Sequence, residues 1–159
     1  MKENNIQVKS NVAILVQRSH WYELCALGVL TNGCAYVPID DSYPNERIAF
    51  MLKDTSADAV LVTNETVERA KEILKENSIQ TKLINVDGIN YSKGRDNYTY
   101  TQADESDTAC ILYTSGTTGK PKGSLITRKA VLNFSTYFVN AFKLSKNDIF
   151  AQYHSFGFD

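Results

Sequence analysis

The chain has 159 residues, 43% hydrophobic, 22% charged and 11% aromatic, which is the profile of one soluble globular domain. A complete domain of that size buries roughly 68–70% of its unfolded surface, so a core needs neither disulfides nor a metal. With 17 Lys+Arg against 18 Asp+Glu, no long-range positive field favours nucleic acid or an anionic membrane, and phosphate binding has to come from local geometry. From the N-terminus, Val12–Val16 is a short apolar, β-branched run of the kind that forms a strand buried on both faces. From Trp21 the apolar positions Trp21, Leu24, Cys25, Leu27 and Val29 to Leu30 recur at helical spacing, and Asn32-Gly33 is a stop signal. Ala35–Ile39 returns to extended character, with Pro38 placing that strand at an edge or marking its end. Pro44 suits the first turn of a helix whose Ile48, Met51 and Leu52 share one face.

Ala57–Val62 reads as a second buried strand, Glu65–Glu76 as a helix with Val67, Ala70, Ile73 and Leu74 inward, and Lys82–Val86 as a third strand. Strands separated by helical segments predict an α/β fold with a parallel sheet flanked by helices, joined by right-handed crossovers. Between about residues 87 and 107, Gly, Asn, Ser, Lys and Tyr displace aliphatic residues, which predicts a long surface loop. Its Tyr91, Tyr98 and Tyr100 are either a binding surface or partial packing. Ala109–Thr114 is strand-like, a Gly/Ser/Thr loop follows, Ala130–Phe142 fits an amphipathic helix, and Asp148–Tyr153 reads as a further strand. The segment from Ile149 to Asp159 is apolar and aromatic without a charged tail, as in a chain cut short inside a larger domain.

Cys25, Cys34 and Cys110 form no Cys-x-x-Cys pair and are expected to be reduced thiols. His20 and His154 lack ligands at metal spacing, so no metal site is expected. Met1–Asn11 has no apolar h-region, and no run approaches the ~18 residues of a membrane span. The expected location is therefore the cytoplasm, and the sequons at Asn64, Asn90, Asn97 and Asn133 are chance matches.

The most informative segment is Tyr113-Thr114-Ser115-Gly116-Thr117-Thr118-Gly119-Lys120-Pro121-Lys122-Gly123. Glycines let backbone amides approach an anion, hydroxyls add short donors, and Lys120 and Lys122 supply charge, which together make a phosphate cradle. Composition alone equally suits a solvated hairpin loop. Neither a Walker A loop nor a Gly-x-Gly-x-x-Gly fingerprint can be laid on these residues. In its full order the segment resembles the phosphate-binding signature of the adenylate-forming enzyme superfamily. A second block, Leu30–Asp40 ending in Ala-Tyr-Val-Pro-Ile-Asp and followed by Tyr43-Pro44-Asn45-Glu46-Arg47-Ile48, resembles the adenylation domains of nonribosomal peptide synthetases. Read as residues, that block is structural and is expected not to touch substrate. Phe156-Gly157-Phe158-Asp159 resembles the start of the motif that lines the amino-acid pocket.

The resemblance implies that the chain is residues 1–159 of the large N-terminal subdomain of an AMP-binding domain, with the C-terminal part absent. It implies activation of an amino acid by ATP with Mg2+, then transfer to the phosphopantetheine thiol of a carrier protein. It also implies phosphate contacts from Thr114, Ser115, Gly116, Thr117, Thr118, Gly119, Lys120, Lys122 and Gly123, and recognition of the substrate amine by Asp159. Catalytic residues are expected outside this stretch, so the chain alone is expected to be inactive. The sequence departs from the family at Ser124–Arg128, where Arg128 stands at the nominal His position, and at Thr31-Asn32 and Cys34. Competing readings are an acyl- or aryl-CoA-type adenylating enzyme, and a non-catalytic remnant or half-protein that binds a complementing partner.

Overall fold

A computed structural model describes residues 4–89, 100–114 and 121–157. The elements run β1 (Asn11–Leu15), α1 (Trp21–Thr31), β2 (Ala35–Pro38), α2 (Asn45–Asp54), β3 (Ala59–Val62), α3 (Val67–Glu76), β4 (Lys82–Asn85), β5 (Thr108–Thr114), β6 (Lys122–Thr127) and α4 (Arg128–Phe142). They build one sheet in the order β4-β3-β1-β2-β5-β6. All pairings are parallel except β5 with β6.

Strand β1 explains the layering. Val12, Ala13, Ile14 and Leu15 are completely buried, and alternate residues of a strand point to opposite faces. Ala13 and Leu15 join Val37, Ile48, Met51, Leu52, Val60 and Ile73 in one core, whereas Val12 and Ile14 join Cys25, Val29, Leu61 and Ile84 in the other. Each fully buried aliphatic side chain contributes on the order of 1.5–3 kcal/mol. The chain steps from β1 to β2 in one direction across the sheet, then from β2 over β1 to β3, and on to β4, in the other. Crossovers of one hand therefore put α1 on one face and α2 with α3 on the opposite face, matching the two cores.

The structure corrects several sequence expectations. Strand β2 is interior, paired with β1 and β5, and Pro38 is its last residue. A missing N–H is tolerated at a strand's end, so Pro38 marks a terminus and not an edge. Strand β6 is unpredicted, since its largely exposed Lys122–Thr127 gives no buried face for periodicity to register. Helix α4 starts at Arg128, two positions before the expected Ala130, because the Thr127 hydroxyl accepts the Ala130 amide at 3.2 Å as an N-cap. Residues Asp148–Tyr153 form no strand. Asp148 instead closes a turn by accepting the Ser145 amide at 2.6 Å, and Ile149 is 98% exposed. The amphipathic pattern of α4 also finds no core here, since none of its residues is buried.

The three thiols are free and buried, and burial pushes Cys25 up to about 12, which leaves it a packing residue and no nucleophile. Among the described residues, no helix is long and apolar enough to cross a membrane.

Two expectations follow. Thr66, 4% exposed, donates to the Leu15 carbonyl at 2.7 Å and accepts the Thr63 amide at 3.0 Å. Thr66→Val keeps the shape but orphans both groups, so it is expected to cost about 2 kcal/mol, read as a lower urea midpoint at unchanged slope. Thr66→Ser should retain most of the stability. Separately, Leu132, Phe134, Tyr137, Phe142, Ile149 and Phe150 are all exposed, and no charge interrupts residues 130–142. Self-association is therefore expected, and sedimentation velocity showing a monomer at every concentration would count against it.

Candidate functional site

The glycine-rich loop is held at both ends by the β5–β6 hairpin, where Thr114 pairs with Lys122 and Tyr113 with Gly123. Tyr113 roots it. This side chain is 5% exposed, its hydroxyl donates to Asp54 Oδ2 at 2.6 Å, and its ring meets Phe50 edge-on at 6.3 Å. Burial first, and then the Asp54 carboxylate, push the Tyr113 hydroxyl above its usual range, so it stays a proton donor. A Cβ at Gly123 would sit 3.1 Å from both Tyr113 Cζ and Ile111 Cγ2, so glycine is needed there for close packing under the ring. Lys122 is exposed at the foot of the loop and Thr114 is half-buried. Ser115, Gly116, Thr117, Thr118, Gly119 and Lys120 lie outside the described residues, as does Asp159.

Because β2 and β5 run parallel, their C-terminal ends, and with them Pro38 and Thr114, emerge at the same side of the sheet. The C-terminal ends of β1 and β2 are followed by helices on opposite faces, the switch point at which open α/β sheets form a crevice. A cavity of about 320 Å³ lies there, lined by Arg18, Tyr22, Asp40, Ser42, Ser155 and Phe156 among others. Asp40 Oδ1 accepts the Ser42 amide at 2.9 Å and the Ser42 hydroxyl at 2.6 Å, while the Ser155 hydroxyl donates to Oδ2. Burial pushes the Asp40 carboxyl up, but the hydrogen bonds from Ser155 and Ser42, with Arg18 nearby, outweigh it and hold the group below the usual carboxylate value. Arg18 donates to the Tyr153 carbonyl at 3.1 Å. Tyr22 stacks on Phe156 with centroids 3.5 Å apart and planes within 9°.

The Tyr43–Ile48 block follows the crevice residues Asp40–Ser42 in the chain and leads into α2. Arg47 lies over the Tyr43 ring at 3.9 Å, a cation–π contact. Arg69, reaching across from α3, donates to Asn45 Oδ1 at 2.8 Å, to the Tyr43 carbonyl at 2.6 Å and to the Asp41 carbonyl. Arg128 donates to the Leu30 and Cys34 carbonyls at 3.1 and 2.9 Å and ties α4 to the junction of α1 and β2. The residue at the departure from the family pattern thus has a structural task.

Sequence reasoning missed Arg18, Tyr22, Asp40 and Ser155 as a group. Asp40 and Ser155 are 115 positions apart, and only the tertiary fold brings them together. A usable signal was the charged Arg18 standing just past the buried run Val12–Val16, where open α/β sheets place their ligand-facing residues.

The AMP-binding enzyme family matches residues 1–159. Tyrocidine synthase 2 of Brevibacillus parabrevis is 35% identical over 160 residues, covering 100% of this chain and 4% of that protein. Tyrocidine synthase 1 of the same organism is 30% identical over 157 residues, covering 99% of this chain and 14% of that protein. Among solved structures, a long-chain-fatty-acid-CoA ligase from Archaeoglobus fulgidus superposes with a TM-score of 0.81 at 22% identity, over 92% of this chain and 31% of that one. A nonribosomal peptide synthetase in its alpha-methyl-L-serine-AMP-bound form gives 0.74 at 22% identity, over 89% of this chain and 15% of that one. The chain therefore spans a small part of the length of the relatives it matches, and the similar structures share its fold. Matched along its whole length, the chain belongs to the AMP-binding enzyme family.

Proposed function

We propose that this chain is the part of an amino-acid-activating adenylation domain that grips the phosphates of ATP and recognises the substrate amine. The observation that supports the reading is the convergence, at one side of one sheet, of the root of the loop at Thr114 and Lys122 with the crevice lined by Asp40, Ser155 and Phe156. The similarity to the tyrocidine synthases supports a peptide synthetase over a CoA ligase, since the CoA ligase likeness lies below 25% identity and speaks for the fold alone.

In the proposed reaction an amino-acid carboxylate oxygen attacks the α-phosphorus of ATP. A new P–O bond forms, the bond to the β-phosphate breaks, and pyrophosphate leaves. A carboxylate is already ionised at neutral pH, so the first step needs alignment and charge stabilisation and no general base. Amides and hydroxyls from Thr114 to Gly123, with Lys120 and Lys122, hold the β- and γ-phosphates and so stabilise the leaving group. Asp159 pairs with the α-ammonium group and sets which way the carboxylate points. In the second step the phosphopantetheine thiol of a carrier protein attacks the acyl carbon and AMP leaves, and no residue of this chain is assigned to it.

Among the described residues there is no cluster of three or more His, Cys, Asp or Glu that could hold a metal. Mg2+ would be carried by the nucleotide and would offset phosphate charge as pyrophosphate leaves. A cytoplasmic location belongs to the same proposal.

Two outcomes are expected. The 159-residue chain alone should show no amino-acid-dependent ATP–pyrophosphate exchange, because a phosphate loop by itself does not enforce in-line geometry. Exchange free of contaminating synthetase would overturn the assignment of the remaining chemistry to residues outside the chain. Once the chain is joined at Asp159 to the downstream part of the tyrocidine synthase 1 AMP-binding region, Asp159→Ala should weaken amino-acid activation by roughly two to three decades. That follows from about 3–5 kcal/mol for breaking a buried charge pair. Lys120→Ala or Thr118→Ala should instead raise the KM for ATP and leave amino-acid preference unchanged. If Asp159→Ala spares amino-acid dependence, the amine reading is wrong.

A further inference from the structure

Strand β6 lies at the edge of the sheet and is largely exposed. It has no buried face of its own to set its register against β5, which is the condition under which strands slip. The far end of the hairpin does not transmit a register either. Thr108 pairs with Thr127 and Cys110 with Ile126, so two steps of β5 stand against one of β6, a bulge that interrupts the ladder. Register at the foot of the glycine-rich loop has to be set locally.

The side chain that can set it is Tyr113. Tyr113 and Gly123 stand opposite each other, and directly opposed residues share a face of the sheet. The ring covers Gly123 so closely that a Cβ there would lie 3.1 Å from Tyr113 Cζ and 3.3 Å from its hydroxyl oxygen. A slip of one residue in either sense would bring Lys122 or Ser124, each with a Cβ, under the ring. That contact selects one register only while the ring stays where it is. Phe50 meets the ring edge-on at 6.3 Å, and Asp54 Oδ2 accepts its hydroxyl at 2.6 Å across 59 positions of sequence, a short bond of the charge-assisted kind. Asp54 is the last residue of α2, where a carboxylate opposes the helix dipole. Its charge therefore does not serve α2 itself, whereas its bond to Tyr113 serves the hairpin.

We propose that Asp54, by pinning the Tyr113 ring over Gly123, is a positioning residue that sets the register of β6 and with it the place of Lys122 opposite Thr114 at the foot of the loop. The proposal rests on reading Thr114 and Lys122 as phosphate contacts, and the pairing of these two residues belongs to the ladder itself. A slip of one residue turns every side chain of β6 to the other face and shifts it by about 3.4 Å along the strand. Lys122 would then no longer stand across from Thr114, and misplacement by about 1 Å already costs up to a hundredfold in rate.

The test compares Tyr113→Phe, Asp54→Ala, Asp54→Asn and the double variant Asp54→Ala with Tyr113→Phe against the parent chain. In the 159-residue chain, hydrogen exchange of the β6 amides that bond to β5 should accelerate about tenfold in Tyr113→Phe and in Asp54→Ala, as expected when a charge-assisted hydrogen bond is lost. Exchange at Val12–Leu15 should be unchanged. Asp54→Asn should restore protection, because its carboxamide oxygen still accepts the hydroxyl. The double variant should exchange no faster than either single one, since both remove the same bond. In the joined enzyme described above, Tyr113→Phe and Asp54→Ala should each raise the KM for ATP about tenfold with the KM for the amino acid unmoved, and Asp54→Asn should recover it. Unchanged β6 exchange, additive effects in the double variant, or KM values for ATP and amino acid that rise together would overturn the proposal. Lys122→Ala measured in parallel separates two failures: if it leaves the KM for ATP unchanged the phosphate reading of Lys122 falls, and if it raises that KM while Tyr113→Phe does not, only the positioning role falls.

Discussion

Burial of β1 on both faces is the constraint on which the rest of the molecule depends. A strand with no exposed side must find an apolar layer above and below, and crossovers of a single hand supply both layers only when the chain leaves β1 and β2 in opposite directions across the sheet. The same reversal opens the gap beyond the strand ends, because the helices that follow β1 and β2 diverge to opposite faces. The crevice at Arg18, Asp40 and Ser42 is therefore a geometric by-product of how the core is packed. Polar side chains just beyond the strand ends reach it without passing through either apolar layer.

Within that frame, long polar side chains do the joining that apolar packing cannot. Arg69 gathers two backbone carbonyls and one side-chain amide from the turn between β2 and α2, and its planar fork of donors suits that task better than a lysine. Arg128 does the same between α4 and the α1–β2 junction. Both bond to neutral oxygens, and among the described residues neither is in an ion pair, so they fix geometry over a span that salt would screen in a surface charge pair. Tyr113 follows similar logic at the loop, where its ring belongs to the core and its hydroxyl reaches the last residue of α2.

The legible part of the fold is the part whose side chains alternate between buried and exposed in step with a helix or strand. The α3 stripe of Val67, Ala70, Ile73 and Leu74 shows it, the strands Val12–Val16 and Ala109–Thr114 are legible instead as near-continuous apolar runs, and all three are found within one or two positions. Strand β6 and the segment Asp148–Tyr153 were misread for opposite reasons. The first is a strand with little buried surface, and the second is apolar but finds no sheet neighbour among the described residues. The site divides the same way. Its loop is contiguous, so the ordered motif from Tyr113 to Gly123 is visible in the sequence, whereas the link between Asp40 and Ser155 exists only through the tertiary fold.

Rooting the two halves of the site differently has a physical rationale. Under the proposed reading the loop is a phosphate cradle that binds the same anionic groups whatever the amino acid, so a hairpin that pairs Thr114 with Lys122 in fixed register serves it well. Under the proposed reading, the approach to Asp159 has to admit and release a variable side chain beside a constant amine. A segment held by a few side-chain bonds opens at lower free energy than one built into the sheet ladder. Stacking of Phe156 on Tyr22 and the bond from Ser155 to Asp40 supply order at that lower level. They anchor the path at defined atoms while leaving the backbone amides of the segment outside the ladder, so under that reading substrate entry would not have to break the sheet on which both apolar layers are built.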